Sequence, residues 1–278
     1  MALSAETTIT IKPSRGISSF ALGELWNYRE VVFYLAWRTI KVKYKQTIFG
    51  ASWAIMQPVV QMAIFTVIFG RIAKLPTDGI PYPLFVFAGL LPWQFFSNSL
   101  NAGSDSLVGG SAILKQVYIP RLAMPISSIA SCLVDFALAM LVMGALMVWY
   151  GYSLTPNVLL FPLLVLLVAV AALALSLFLS AMNVQFRDVK HATPFLIQIW
   201  MFATPVVYPL SMIKDPMLAT IYSVNPMVGV VEGFRWSLLG TGELPVQALL
   251  ISTAVTLIAL VVGAIYFKKM ERTFADVA

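Results

Sequence analysis

The chain has 278 residues, of which 60% are hydrophobic and only 11% are charged, and its mean hydropathy is +0.87. A chain of this composition cannot cover itself with polar surface in water, which excludes an ordinary soluble protein and indicates an integral membrane protein. In this setting the net charge of +6 and the pI near 9.4 reflect how basic residues are distributed across a bilayer, and we expect no nucleic-acid partner.

The first 49 residues are predicted to form a cytoplasmic tail followed by an amphipathic helix at the membrane interface. The apolar side chains of the helix recur on one face, at Phe33, Trp37, Ile40, Tyr44 and Ile48. Arg38 and Lys45 lie together on the opposite side. This periodicity is typical of a helix that lies along a surface. Gly50 is expected to end it.

Residues 50–278 are predicted to form one all-α transmembrane domain with six spans. A helix needs about 20 apolar residues to cross a hydrocarbon core of about 30 Å. The predicted spans are approximately 51–70, 83–104, 122–150, 158–182, 192–212 and 246–267. The third and fourth belong to one uncharged run, 136–186, which as a single helix would be about 75 Å long. We therefore expect the run to be divided at the sequence GYSLTPN.

Three spans carry residues that predict how the helices pack. Gln57 and Gln61 in the first span are polar and are expected to face protein or water. In the fourth span, small residues recur every four positions, at Ala172, Ser176 and Ser180. Such a face suits close approach of another helix. The fifth span is interrupted by Pro194, Pro205 and Pro209.

Residues 213–245, between the fifth and sixth spans, are too apolar for an ordinary loop. An N-cap, a first helical residue and a stop are indicated by Asn225, Pro226 and Gly240. We predict two short helices that form a re-entrant hairpin, with Glu232 and Arg235 paired near its base. A helix pair that lies on the lipid surface is the alternative.

The basic residues predict the orientation of the chain. If six spans leave both termini on one side, that side receives fourteen of the 18 Lys and Arg residues. The other side receives only Arg71, Lys74, Lys214 and Arg235. Because cytoplasmic loops are enriched in basic residues, we expect both termini to be cytoplasmic and the hairpin to face outward from the inner membrane. The first thirty residues lack the apolar segment of a signal peptide.

Catalytic chemistry is poorly represented in the sequence, and we assign no catalytic residue. Asp135 is the only acidic residue deep in a span, and His191 lies in a predicted loop. We interpret Asp135 as a protonated or hydrogen-bonded packing group, because Ser127, Ser128 and Ser131 lie one to two turns earlier, with a functional role as the alternative. A single cysteine, Cys132, and a single histidine exclude a disulfide framework and a Cys/His metal site.

Aromatic residues within the spans have two possible explanations. One is apolar packing. The other is a path for sugars, because aromatic faces can stack on the C–H faces of pyranose rings without binding any unit tightly. The candidates for such a path are Trp53, Phe65, Phe69, Trp93, Trp200, Phe202 and Tyr208.

Four sequence stretches, taken in order, resemble a known family. They read WRTIKVKYKQTIFGASWAIMQP, FAGLLPWQFF, GGSAILKQVYIPRLAMP and NPMVGVVEGFRW. The chain resembles, over nearly its whole length, the membrane subunit of ABC-2 type exporters that move lipid-linked polysaccharide such as O-antigen, capsule or teichoic acid. An ABC-2 exporter of a drug or a simple lipid is the alternative, and an ion-coupled carrier or a membrane-embedded glycan-modifying enzyme is more distant.

The resemblance implies a homodimer of six-span subunits joined to two cytoplasmic ABC ATPase subunits. ATP and Mg²⁺ would be bound by that partner, and we expect this chain to hold no cofactor and to have no ATPase activity of its own. The sequence agrees with this, since it contains no GxxxxGK[ST] phosphate-binding loop.

The resemblance also implies roles for particular segments. Residues 106–118 and 184–191 would couple the chain to the ATPase, with Ser106, Lys115, Arg187 and Asp188 as the contact candidates. Residues 225–239 would belong to a periplasmic gate that includes Asn225, Glu232 and Arg235. The first and fifth spans would line the substrate channel.

A final hypothesis concerns the basic residues near the expected mouth of the channel. Arg38, Lys41 and Lys45 suit the pyrophosphate of an undecaprenyl-linked substrate, because guanidinium and ammonium groups bind phosphate oxygens well. Attraction to anionic membrane lipids explains the same residues equally well.

Overall fold

The computed structural model describes residues 26–45, 52–240 and 242–271, and every regular element in these ranges is a helix. The helices are α1 Arg29–Lys45, α2 Ser52–Phe65, α3 Tyr82–Gly109, α4 Ser111–Leu114, α5 Ala123–Tyr150, α6 Phe161–Gln185, α7 Val189–Phe202, α8 Pro216–Tyr222, α9 Pro226–Leu239 and α10 Val246–Glu271. π-Helical turns at Thr66–Ile72 prolong α2, and a 3₁₀ turn at Pro156–Leu160 precedes α6. The predicted tail, Ile48 and the stop at Gly50 lie outside the described residues.

Within the described ranges, four helical stretches are long and apolar enough to cross a membrane: Ser52–Ile72, Ala123–Tyr150, Pro156–Gln185 and Val246–Glu271. They overlap the first, third, fourth and sixth predicted spans. Gly151 ends α5 with φ +74°, a left-handed conformation that glycine adopts readily. The long uncharged run is therefore divided where the sequence predicted.

The second and fifth predicted spans differ from this pattern. α3 has 28 residues, about 42 Å, but the stretch 84–93 is buried on all sides by other helices. α7 has only 14 residues, about 21 Å, and ends at Phe202. Pro205 follows, which has no N–H to donate and whose ring would clash with a preceding helical carbonyl. The predicted span 192–212 is therefore not a continuous helix.

α6 packs closely between α3 and α10. Ala172, Ser176 and Ser180 are fully buried, which confirms the predicted small-residue face. A Cβ at Gly103 of α3 would lie 2.3 Å from Ser176 Oγ, so the two helices touch at a glycine. On the other side, a Cβ at Gly263 of α10 would lie 2.3 Å from the Ala174 carbonyl oxygen.

α1 packs across one end of the helices rather than standing apart from them. Leu35 and Ala36 are its buried residues, and Leu35 belongs to a small core with Phe267 of α10. Of the predicted apolar stripe, Phe33 is 71% exposed and Trp37 is also exposed, as expected for residues that enter a lipid headgroup layer. Tyr44 instead turns toward the protein, so the stripe prediction is wrong at that position.

The region after α7 contains the two predicted short helices, α8 and α9. The Asn225 side chain caps α9 by accepting a hydrogen bond from the Met227 N–H at 3.0 Å, and Gly240 ends it with φ +67°. Nearly all side chains of α9 are buried, whereas α8 exposes Met217 and Leu218. α9 is therefore a core helix, which excludes the lipid-surface alternative for this half of the pair.

Replacing Gly103 with alanine should lower the thermal unfolding midpoint of the protein in detergent, because the new Cβ would push α3 and α6 apart. Overpacking of this kind typically costs about 1–3 kcal/mol. Gly144→Ala in α5 is the matched control, since a Cβ there meets nothing within 4 Å. Equal midpoints for the two variants would contradict the close contact.

Candidate functional site

The residues that follow α7 form turns and bends and then enter a short 3₁₀ turn at Leu210; we call residues 203–210 the unwound segment. Several of its carbonyl oxygens accept no hydrogen bond from a described backbone N–H, and lipid cannot supply hydrogen bonds. Arg235 of α9 supplies them: its guanidinium donates to the carbonyl oxygens of Val206 at 2.6 Å and Tyr208 at 3.4 Å. Glu232 pairs with Arg235 at 3.0 Å and accepts the Leu210 N–H at 2.9 Å. The predicted ion pair of Glu232 and Arg235 is thus confirmed.

Two further side chains hold the same segment. The Asn225 amide donates to the Ala203 carbonyl oxygen at 3.0 Å and to Thr204 Oγ1 at 2.9 Å. The Tyr82 hydroxyl donates to the Val207 carbonyl oxygen at 2.8 Å. The three residues predicted for the gate therefore converge on the unwound segment, although their role in gating stays a prediction.

The aromatic candidates fall into two groups. Phe65 and Trp93 are 8% and 3% exposed, and the ring of Trp93 packs 5.6 Å from that of Phe96. Both side chains therefore belong to the core of the subunit, which argues against contact with a passing substrate. Sequence periodicity could not distinguish this burial from a channel face.

The remaining five aromatic candidates are at least partly exposed: Trp53, Phe69, Trp200, Phe202 and Tyr208. Tyr208 donates to the Phe202 carbonyl oxygen at 3.1 Å and accepts a hydrogen bond from Tyr222 of α8. Burial and this hydrogen bond raise the pKa of Tyr222, so its hydroxyl remains a donor at neutral pH. Tyr208 is thereby fixed between the unwound segment and α8.

The two segments predicted to couple to an ATPase lie close together. Lys190, at the start of α7, forms an ion pair at 3.3 Å with Asp105 near the end of α3. The Asn183 amide of α6 donates to the Ser104 carbonyl oxygen at 3.1 Å. These contacts place the end of α3 beside the connection between α6 and α7.

The four coupling candidates differ in exposure. Lys115, Arg187 and Asp188 are exposed, whereas Ser106 is buried and its hydroxyl donates to the Gly103 carbonyl oxygen at 2.7 Å. Ser106 is therefore not available for direct contact with another subunit. The other three remain surface candidates.

The outer face of α1 carries a groove of about 230 Å³, which we call the cationic groove. It is lined by Tyr34, Trp37, Arg38, Lys41, Val42 and Lys45. The three predicted phosphate ligands thus line the same groove as the exposed Trp37. Among the described residues, Arg38, Lys41 and Lys45 form no ion pair. Their charges are therefore available to an anion.

A larger space of about 480 Å³, which we call the inner cavity, lies between α1, α2, α3 and α5. Its lining includes the polar residues Thr39, Gln57, Gln94, Asn98, Asn101 and Ser131. Gln94 also donates to Gln61 Oε1 at 2.9 Å, which confirms that Gln61 of the first span faces protein. Trp53 and Phe95 add aromatic surface. The combination of amides and aromatic rings suits a polar ligand without charge.

Asp135 lies in the wall of the inner cavity, and its partners differ from those predicted. Lys43 forms an ion pair with it, and the Tyr44 hydroxyl donates to it. Ser131 donates instead to the Ser128 carbonyl oxygen at 2.6 Å. Burial and the hydrogen bond with Asp135 raise the pKa of Tyr44, so its hydroxyl stays protonated. No sequence signal could have found this contact, because Lys43 and Asp135 are 92 positions apart.

Four helical stretches in the described ranges that are long and apolar enough to cross a membrane indicate a multi-pass membrane protein. The sequence pattern of the ABC-2 type transporter family matches residues 30–239, and the chain belongs to that family.

Three named relatives are similar over most of their length. The O-antigen export system permease protein RfbA of Myxococcus xanthus is 32% identical, over 91% of this chain and 97% of that protein. A protein of the same name from Klebsiella pneumoniae is 26% identical, over 86% and 92%. The polysialic acid transport protein KpsM of Escherichia coli is 25% identical, over 70% and 76%.

Replacing Arg235 with leucine should destabilise the protein strongly, because Glu232 and two backbone carbonyls would lose their buried partner. Breaking a buried ion pair in this way costs about 3–5 kcal/mol. Thermal unfolding in detergent measures the effect. Arg71→Leu, at an exposed arginine, is the control. If both variants unfold at the same temperature, Arg235 does not hold the unwound segment.

Proposed function

We propose that this chain is the transmembrane subunit of an ATP-driven exporter that moves undecaprenyl-linked polysaccharide, such as O-antigen, across the inner membrane. The observation that carries the proposal is the similarity to the M. xanthus RfbA permease over 91% of the chain. Membership of the ABC-2 family by itself would also fit an exporter of a drug or a simple lipid. The cationic groove beside exposed Phe33 and Trp37 favours a substrate that joins phosphate to a lipid.

The partners of the proposed exporter are two ABC ATPase subunits and a second copy of this chain. The ATPase would bind ATP and Mg²⁺, since this sequence has no phosphate-binding loop. Lys115, Arg187 and Asp188 are the proposed contacts, because they are exposed on segments that lie together at one end of the protein. This chain would then convert the ATPase cycle into movement of the substrate.

We further propose a six-span topology with both termini in the cytoplasm. α3 would make the second crossing, and α7 with the unwound segment would make the fifth. The distribution of basic residues supports this orientation, because it leaves only Arg71, Lys74, Lys214 and Arg235 on the outer side. The pair α8 and α9 would then be a re-entrant hairpin that enters from the periplasm.

In this topology, the unwound segment and α9 would form the periplasmic gate. The contacts of Asn225, Glu232 and Arg235 with the segment support this assignment, since movement of α9 would carry the segment with it. The partly exposed rings of Phe69 and Tyr208 would offer weak, similar contacts to successive sugars. Such contacts suit a polymer that must not be held at any one point.

Deletion of the gene in its host should trap lipid-linked glycan on the cytoplasmic side, because the lipid carrier cannot flip its attached polymer unaided. Lectin or antibody labelling of intact and permeabilised cells would locate the glycan. Restoration of surface glycan by a plasmid copy is the control. Unchanged surface glycan together with altered drug sensitivity would support the drug exporter instead.

Replacing Arg38, Lys41 and Lys45 together with glutamine should reduce export and the substrate-stimulated ATPase activity of the complex, with normal membrane insertion. The reason is that the cationic groove would lose its charge. The matched control replaces the exposed outer residues Arg71, Lys74 and Lys214 with glutamine, which removes the same charge. If export is equally normal in both triple variants, the groove residues attract membrane lipid in general.

A further inference from the structure

The inner cavity is chemically different from the cationic groove, although both use α1. Its volume of about 480 Å³ falls within the range of about 300–1,000 Å³ that is typical of small-molecule sites. Amide side chains reach it from α2 and α3, and each amide can both donate and accept hydrogen bonds. This pattern matches the hydroxyl groups of a sugar, which also donate and accept.

Three of these amides are available for a ligand. The side chains of Gln57, Asn98 and Asn101 form no hydrogen bond with any residue in the described part of the chain. Gln57 is exposed and the two asparagines are partly exposed, so water hydrates these amides, and the hydroxyl groups of a ligand could replace that water. The indole ring of Trp53, which is 53% exposed, provides the apolar contact that a pyranose ring needs, whereas Phe95 is 2% exposed and only completes the wall.

The charges in the inner cavity are already paired. Lys43 and Asp135 form an ion pair, and Asp135 is the less exposed partner. A phosphate bound at Lys43 would have to displace this carboxylate, and the two negative groups would repel each other. The cavity therefore favours an uncharged ligand, whereas the cationic groove on the opposite face of α1 favours an anion.

We propose that the inner cavity binds an uncharged sugar unit of the exported glycan, next to the site for its lipid pyrophosphate. This inference rests on the proposed function. The two sites use opposite faces of α1, so they are separated by one helix diameter, about 10 Å. A glycan whose pyrophosphate occupies the cationic groove would thus have its first sugars near the cavity.

The chain offers a built-in probe, because its only cysteine, Cys132, lies in the cavity wall. The full chain with its ATPase partner in nanodiscs would be alkylated with a small water-soluble maleimide. A short-chain polyprenyl pyrophosphate that carries an uncharged disaccharide should slow the labelling several-fold. The same lipid pyrophosphate without sugar should have little effect.

The Cys132 thiol is buried and can react slowly with the maleimide, so a second measurement uses equilibrium binding. Equilibrium binding should favour the sugar-bearing lipid over the sugar-free lipid by about tenfold, the value expected for one or two net hydrogen bonds. Replacing both Asn98 and Asn101 with alanine should bring this ratio close to one without weakening the sugar-free lipid. Asn27→Ala, at an exposed position before α1, is the control.

The outcomes separate the two proposals. Equal binding of both lipids, with the same labelling of Cys132, would overturn the sugar site and leave the exporter assignment standing, provided that binding depends on Arg38, Lys41 and Lys45. If neither lipid binds, the proposed function itself fails.

Discussion

A break in a membrane helix leaves backbone groups to which lipid cannot form hydrogen bonds. The fold depends on the side chains that form these hydrogen bonds at the unwound segment. Arg235 is the central element: it is 3% exposed, its charge is balanced by Glu232, and its guanidinium lies 3.7 Å over the ring of Phe85. Gly89 leaves room for it, since a Cβ there would lie 2.8 Å from Nη2. One arginine thereby joins α3, α9 and the unwound segment, so none of the three can move independently.

The interface helix α1 is held by a different interaction, the ion pair of Lys43 with Asp135. The Lys43 side chain is 53% exposed and that of Asp135 only 9%. Without the pair, water would still hydrate the lysine, whereas the carboxylate would have little access to water. If the lysine were lost, a largely buried negative charge would remain with the Tyr44 hydroxyl but without its ion-pair partner, which is costly. The pair therefore fixes α1 against α5 and, with Leu35 in the small core, makes the interface helix a part of the folded subunit.

The sequence predicted those features that depend on local physics. The stop at Gly151, the cap at Asn225 and the small face of α6 all arise from neighbours along one helix. The features that it missed depend on partners far away in the chain. Periodicity could place Tyr44 and Asp135 on helix faces, but only the fold decides that these faces meet. The burial of Trp93 has the same origin, because packing decides it, whereas the early end of α7 follows from the local signal at Pro205.

The distribution of charge around α1 connects the fold to the proposed activity. Residues three, four and seven positions apart share a face, so α1 can present on one side Arg38, Lys41 and Lys45, which pair with no described residue, and on the other side Lys43, which pairs with Asp135. The unpaired side also carries exposed Trp37 and can lie in the headgroup layer, where phosphate is found. The face that carries Lys43 closes the inner cavity. Because the charge of Lys43 is balanced by Asp135, the amide side chains in this cavity are the groups that remain to bind sugar hydroxyls. Because Lys43 and Asp135 cancel one another, a glycan could enter this cavity without the tight electrostatic binding that would stop its transport.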